Sequence, residues 1–569
     1  MSAAVAKAGS SRAGWYAAAL TPRRAVLLLV LLLVLLGAVT PWSLIVSVPI
    51  VLRTLLPIRQ WNGLALGAAL LLGGSVVSLL VSVDLPVSLT TLAGIFGAFA
   101  VAVLLQQWWQ SPQRLGGGIA IYVGIACALV LLATIQVDIQ FAKLNAMSQA
   151  VYGWFGRWPH LDNVGFSQNA TAALIVAVCP FSIALACGRS HRLVRAGAAL
   201  ASLWFVFALV LTLSRGAFFG LAFGAGAMIW LNGGRTRWLA PLPALVTLGL
   251  LLAGVTGYEF TISATPTGWS SVDRLYIWHT ALRVLADFPI TGPGAGTFPL
   301  RVPAYTWPME ARDIPHAHNF VLQTYLDSGL VGLIGMLVLL LAALQAVLRL
   351  LSLPLDSRLR LAVLGSAGAL VGTLAHGSVD AYFWGDARTF YVVAVPLGVL
   401  LSVARLRGAS LAFTANPTAV ARLDVWATAL RQTWTSDGRR PGYPVAMGAA
   451  ATLLLVFAAR PIASLSLANS GNLLREHGEL MATGSPLQTL TLTLAQQQLQ
   501  WSTGLESSYG AAWQDLAEVA LDERNTSHAS LYLARAGQEG QHDALVLRDD
   551  DRLSRLAIAQ ASPALRVTH

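Results

Sequence analysis

The chain has 569 residues, 56% of them hydrophobic and 11% charged, with a formal net charge of +11. So little charge spread over so much apolar surface excludes a water-soluble globule. The three cysteines, Cys127, Cys179 and Cys187, all lie in apolar runs, which excludes a disulfide framework or a thiolate metal centre. Nucleic acid is not the expected partner, because the arginines are scattered between apolar runs, as positive-inside loops beside anionic headgroups require.

Residues 1–24 are polar, carry Lys7, Arg12, Arg23 and Arg24, and are expected in the cytoplasm. Ala25–Ala38 leads into further apolar sequence and not into a processing site, so no cleaved signal peptide is read here. The stretch 25–56, broken at Pro41, reads as one long tilted span or a tight helical pair; placing Arg53 and Arg59 inside favours the pair. Further spans are expected near 62–82, 87–107, 117–136, 168–187, 196–213, 216–231, 239–257, 319–350, 361–380, 387–405 and 443–460. Their lengths fit the roughly 20 residues that a ~30 Å hydrocarbon core demands of a helix. The fold class is therefore an all-α polytopic membrane protein with about 12–13 transmembrane helices. With the N-terminus inside, Arg114, Arg189, Arg192, Arg195, Arg235, Arg237, Arg358, Arg360 and the arginines of a 406–442 loop all fall on the cytoplasmic side.

This leaves a membrane domain over 25–460, a large outer loop over 258–318 and an outer tail over 461–569. The tail is soluble in composition, with helical periodicity in Leu490–Trp501, Ala511–Leu521 and Ser527–Ala536 and a helix start at Asn525. Paired helices of this size are tetratricopeptide-like, although no 34-residue period repeats. One such unit buries little by itself and is expected to lean on the membrane domain. The residues from about 546 read as frayed.

Chemistry-bearing residues gather between Asp273 and Gly332, where three His and four Arg stand in a chain otherwise sparing of charge. In His316-Ala-His318-Asn319, Pro315 precedes and a continuous apolar helix is expected to follow. His318 thus sits at a helix N-terminus, whose partial positive charge disfavours imidazolium and leaves a neutral base able to take a hydroxyl proton. A helix-capping role is the plain alternative. A metal site needs three or four ligands, and only His279, Asp313 and Glu310 offer to complete the pair, so no metal is expected. Ser214-Arg215-Gly216 places a guanidinium on the outer side, against the positive-inside bias, with Gly216 and Ala217 leaving room for a ligand. A snorkelling anchor is the bland reading; bidentate phosphate binding is the sharper one.

Arg274 opens an amphipathic segment with Leu275, Trp278, Leu282 and Leu285 along one face, suited to lying at the interface. Arg283 and Arg301 add cationic charge. The Gly292/Gly294/Gly296 run has no preceding strand and reads as a turn, not a dinucleotide fingerprint. Asp380, with Asp386 and Arg388 across a short turn, either staples two helix ends or orients an imidazole. The 137–167 loop holds Trp154, Phe155, Arg157 and Trp158, as an interface belt or a sugar platform, and leads to Asn169.

Three motifs together resemble the O-antigen ligase/polymerase superfamily, which includes protein O-oligosaccharyltransferases: R-x3-W at Arg274 and Trp278, P-x2-G-x-G-x-G-x-F from Pro289 to Phe298, and HAHN-x2-LQ-x3-D-x-G-x2-G from His316 to Gly332. Ser214-Arg215-Gly216 and the Gly165 to Asn169 segment fall where that family has an outer-facing Arg and a G-x-x-x-N motif. The resemblance spans roughly 60–405. It implies inverting, metal-independent glycan transfer from an undecaprenyl-pyrophosphate-linked donor at the periplasmic face of a bacterial inner membrane. The acceptor would be lipid A–core, a glycan or a protein, and no cofactor is implied. His318 then corresponds to the base with His316 beside it. Arg215, Arg274 and Arg283 serve as pyrophosphate ligands, and Asn319, Asp327, Asp380, Arg388 and Asn169 as supporting residues. Asp327 departs from the family's commoner Glu. A lipid-linked-glycan transporter is the different-class alternative; its ionisable residues belong near mid-span, whereas here they cluster at span ends.

Overall fold

The computed structural model describes residues 40–55, 62–136, 153–154, 157, 167–189, 191–252, 270–305, 314–381, 391–409, 443–539 and 544–561. Among these residues there are helices and no strand. Seven helices are long and apolar enough to cross a membrane. They are Gly63–Leu80 (α2), Leu85–Trp108 (α3), Pro112–Gln136 (α4), Gln168–Ala186 (α5), Arg192–Thr212 (α6), Phe320–Ser352 (α11) and Ser357–Gly377 (α12). Leu44–Leu55 (α1), Arg215–Asn232 (α7), Leu242–Leu252 (α8) and Tyr391–Leu406 (α13) are shorter or less apolar members of the bundle. The larger expected count also drew on 25–39, which lies outside the described residues, as do 1–24 and the 410–442 part of the cytoplasmic loop.

Local sequence sets the helix starts. Asn62 and Asp84 each accept a backbone N–H three residues on, at 2.9 and 3.0 Å, satisfying donors that a helix N-terminus leaves orphaned. Phe181, Phe205 and Leu209, none of them accessible to solvent, anchor the largest apolar cluster. Small residues bring the helices close: a Cβ on Gly220 would lie 2.7 Å from the Gly372 carbonyl, so α7 and α12 touch backbone to backbone.

Chain direction sorts the polar residues. The start of α7, the end of α12 and the start of α11 share one end of the bundle. The opposite end holds the arginines expected in the cytoplasm: Arg360 donates to the Asn232 carbonyl at 2.9 Å and Arg407 to the Pro354 carbonyl at 2.6 Å.

Two expectations change here. The helix after Asn319 is not continuous. It breaks at Gly329, whose φ of +63° only glycine adopts freely, and the Leu330 N–H donates instead to the Ile290 carbonyl at 2.9 Å. The interfacial helix Ser270–Asp287 (α9) buries Ile277, Ala281, Val284 and Leu285, while Leu275 and Leu282 are 64% and 55% exposed. Of the expected apolar face, Leu285 is buried because the chain that follows, with Phe288, Phe298 and Val302, packs in the same cluster.

The tail begins on Tyr443–Glu479 (α14) and continues as Pro486–Leu505 (α15), Gly510–Asp522 (α16), Thr526–Gln538 (α17) and Ala544–Ala561 (α18). Asn525 caps α17 by accepting the His528 N–H at 3.2 Å. The described part of the expected frayed end, Ala544–Ala561, is helical: Leu553 and Leu556 pack on the tail core, and Arg552 pairs with Asp522 at 2.6 Å. The tail leans on the segment before α11. The Asn469 amide oxygen accepts from the Ile290 N–H, the Thr291 N–H and the Thr291 hydroxyl at 3.1, 3.3 and 3.1 Å, and Arg301 pairs with Glu476.

Candidate active site

The site is built on a turn that reads HAHN. Asn319 caps α11, its side-chain oxygen accepting the Val321 and Leu322 N–H groups at 2.9 and 3.2 Å. Its amide nitrogen donates to the Ser378 carbonyl at 3.0 Å, which ties the start of α11 to the end of α12. His318 has a φ of +48°, a left-handed conformation that costs a non-glycine residue roughly 1–2 kcal/mol. Strain of this kind collects at functional turns. The His316 Nδ1 accepts the His318 N–H at 3.2 Å, and the two rings meet edge to face at 4.2 Å.

Asp380, just past α12, completes the cluster. Its Oδ1 lies 3.4 Å from His318 Nδ1 and 3.9 Å from His316 Nε2. His318 Nδ1, Asp380 Oδ1 and the neighbouring His376 Nε2 are all buried. Burial pushes the Asp380 carboxyl up, but the adjoining His318, His316 and His376 outweigh it and hold it below its usual range, as an anion. Burial, helped by His318 and Arg274, drives His316 down to about 4 against the pull of Asp380. His316 is therefore neutral at physiological pH.

A depressed imidazole gives a signed pH prediction. Between about 4 and the unfolded value of 6.5, the unfolded chain binds the proton that folded His316 refuses, so stability rises with pH across that window. The span is worth about 3 kcal/mol at most. Thermal unfolding of the detergent-solubilised protein should show Tm climbing from pH 4.5 to 6.5, with the climb reduced in His316→Gln.

The arginines divide. Arg274 is close enough for its charge to act on both His316 and His376. Arg215 opens α7 beside them, since a Cβ on Gly216 would lie 2.7 Å from Val379 Cγ2 and 3.2 Å from His376 Cδ2. The room expected at Gly216 is thus filled by α12, because helix packing claims it. Arg283 lies about 14 Å further along α9 at 1.5 Å per residue. Its charge partners are Tyr276 and Asp287, the latter beside the tail's Arg475, Glu476 and Glu518. Asn169 stands half-buried in the first turn of α5. Phe181 packs against Gly365 and Val176 against Gly372, an antiparallel register that puts Asn169 at the Asp380 end. Arg388 and Asp386 lie outside the described residues, as do Glu310 and Asp313.

Asp327, 1% exposed, faces the glycine turn: its carboxylate accepts the Gly296 N–H at 2.9 Å and both oxygens accept from the Gln323 amide at 3.0 Å. The turn itself demands glycine, since a Cβ on Gly292 would sit 2.3 Å from the Leu326 carbonyl. Gln323 is the residue that sequence reasoning missed. Its carbonyl accepts the Ala317 N–H at 2.8 Å, between the two histidines, while its NH2 holds Asp327. Only its place in the quoted motif signalled it. Gln323→Leu strands both partners in a dry site, and a loss of about 2 kcal/mol is expected, read as a lower Tm in detergent. His376 was read only as the end of a span.

Ligand atoms of His316, His318 and Asp380 lie within 4.8 Å of one another, so this set has metal-ligand proximity among the described residues. Asp380, not His279, completes it; His279 is exposed on α9. The bond that His316 Nδ1 accepts places that ring's proton on Nε2, facing Asp380, as in an imidazole–carboxylate contact.

A polytopic helical membrane protein with a titratable imidazole–carboxylate cluster and cations at one end of its bundle is the class that fold and site define. Comparison with family models narrows it: residues 200–337 match the family described as O-antigen ligase, and this match supports the resemblance to the O-antigen ligase superfamily. A search of the curated proteins and one of the solved structures found nothing similar. The matched stretch takes in Arg215, Arg274, Arg283, His316, His318, Asn319 and Asp327 and stops before Asp380, a shorter span than the resemblance at 60–405. It supports a ligase- or polymerase-type function on lipid-linked glycans, an enzyme of the glycosyltransferase kind.

Proposed function

We propose that the chain transfers a glycan from an undecaprenyl-pyrophosphate-linked donor to an acceptor hydroxyl at the periplasmic face of the inner membrane, in the manner of an O-antigen ligase. The observation that carries this is the junction of His318 with Asp380 within reach of Arg274, at the bundle end opposite the arginine-rich connections. Asp380, an anion 3.4 Å from Nδ1, favours the tautomer with the proton there and leaves Nε2 of His318 as the base.

In the reaction, the acceptor hydroxyl gives its proton to His318 Nε2 as its oxygen bonds the donor's anomeric carbon. The bond from that carbon to the phosphate oxygen breaks with inversion, and the electron pair leaves on the pyrophosphate. Arg274 and Arg215 stabilise that charge, so the leaving group needs no proton and no metal is invoked. An apolar crevice of about 60 Å³ begins at Phe320, two residues from His318, and is lined by Met336, Leu370, Leu374 and Val393. It lies where the prenyl chain of a donor held at this site would enter the bilayer. The domains follow the same reading: a membrane transfer domain to about 460 and a periplasmic tail beyond.

The test is a deletion strain with its surface glycans run on a gel. Unmodified lipid A–core is the expected result. Single-repeat caps would assign a polymerase and unglycosylated proteins a protein O-oligosaccharyltransferase, and unchanged glycans would sink all three.

A further inference from the structure

Asn469 stands on α14, in the tail, and is 4% exposed. Its side-chain oxygen accepts two successive backbone N–H groups from outside the tail, Ile290 at 3.1 Å and Thr291 at 3.3 Å. Two adjacent N–H groups converging on one oxygen fix the orientation of both peptide planes.

Those peptides lie across the break in α11. The Ile290 carbonyl accepts the Leu330 N–H at 2.9 Å, and a Cβ on Gly329 would collide with that carbonyl and with the Thr291 peptide. On either side of them, the Tyr325 hydroxyl donates to the Pro289 carbonyl at 2.6 Å, and a Cβ on Gly292 would collide with the Leu326 carbonyl. Residues 289–292 therefore seat the break, and Asn469 holds their backbone.

From the break a run of hydrogen bonds reaches the histidines. Asp327 accepts the Gly296 N–H at 2.9 Å and the Gln323 amide at 3.0 Å, and the Gln323 carbonyl accepts the Ala317 N–H at 2.8 Å, between His316 and His318. The glycine turn is thus held at two points, at 290–291 by the tail and at 296 by the acid whose other partner supports the histidine turn. Further tail contacts fall beside the turn. Glu476 pairs with Arg301 on the short helix Phe298–Tyr305 (α10), the Tyr509 hydroxyl donates to the Ala286 carbonyl on α9, and Arg548 donates to the Ala304 carbonyl at 2.8 Å. These hold the flanking helices, whereas Asn469 bonds the backbone of the turn itself.

We propose that Asn469 is a positioning residue for glycan transfer: through it the tail fixes the 290–291 peptides, and with them the break at Gly329 and the histidine turn. The hold on the turn stands on the hydrogen bonds; its bearing on catalysis rests on the glycan-transfer reading. A base acts only within hydrogen-bond reach of the proton it takes, and a misplacement of about 1 Å can cost about 10²-fold in rate.

The experiment compares full-length variants in detergent. Asn469→Ala removes the acceptor, Asn469→Asp keeps an acceptor oxygen in either protonation state, and Arg548→Ala removes a tail contact that lies off the turn. Hydrogen exchange is followed in peptides covering 286–305 and 314–332, and should quicken in both for Asn469→Ala but not for Asn469→Asp. With extracted lipid-linked donor, Asn469→Ala should lower kcat about 10- to 100-fold and leave the donor KM unchanged. Asn469→Asp should restore kcat, and Arg548→Ala should keep it. If Asn469→Ala does not fold, Asn469→Gln, which displaces the oxygen by one methylene, takes its place with the same expected direction. Wild-type kcat in Asn469→Ala, no rescue by Asn469→Asp, or an equal loss in Arg548→Ala overturns the proposal. So does unchanged exchange over 314–332, whatever the transfer assay shows. A wild type that transfers nothing would defeat the transfer reading instead, and the exchange data would still decide whether Asn469 holds the turn.

Discussion

His318→Ala is expected to fold, insert and express like the wild type and to lose glycan transfer by about 10²–10⁴-fold, the usual worth of a general base. The side chain is an attractive target because it is partly open to solvent, 20% exposed, and its Nδ1 meets the Asp380 carboxylate at 3.4 Å. The hydrogen bond to His316 survives its removal, since it runs through the backbone N–H. An in vitro assay with extracted lipid-linked donor reads the result. Full activity in His318→Ala would pass the base role to His316, whose buried ring and depressed pKa of about 4 make it the weaker base. Asp380→Asn adds a finer reading. It keeps the shape but removes the anion that selects the His318 tautomer, so activity should fall while His318 remains in place.

Arg274→Ala should cost about 10²–10³-fold in kcat/KM, the size of a lost charge-stabilising donor at a reacting centre. Its guanidinium is placed to act on the histidine cluster, and the same field helps depress His316. Two effects therefore separate: weaker binding of the pyrophosphate donor, and a His316 pKa that moves back up. Donor affinity measured on detergent-solubilised protein tests the first and an NMR pH titration of labelled histidine tests the second. Arg215→Ala should share the loss of donor affinity without the titration change. Unchanged donor affinity in both variants would reduce these arginines to membrane anchors. Arg283→Ala is expected to behave differently, because its charge partners are Tyr276 and Asp287, away from the histidine cluster.

Much of the membrane architecture was legible from composition and run length, because the bilayer imposes a length and a polarity that a one-dimensional pattern records directly. The sorting of Arg360 and Arg407 to one end and the histidines to the other followed in the same way. The helix start at the HAHN motif and the tail helices are also local, and local chemistry leaves its mark in adjacent residues, although the cap turned out to be Asn319 and not His318.

Pairings across the sequence were another matter. Asp380 read equally well as a helix staple or as a partner for an imidazole; its approach to His318 depends on how α11 and α12 cross. Gln323 looked like one more residue of an apolar helix until the fold set it between Ala317 and Asp327. Gly216 seemed to leave space for a ligand, yet packing gave that space to Val379. The hold of Asn469 on the Ile290 and Thr291 N–H groups, 179 and 178 residues away, left no trace in any window of sequence. Periodicity and capping are properties of neighbours along the chain, which the sequence lists in order. Ion pairs and cavities are properties of neighbours in space, and only the folded bundle, by choosing which helices touch, decided them.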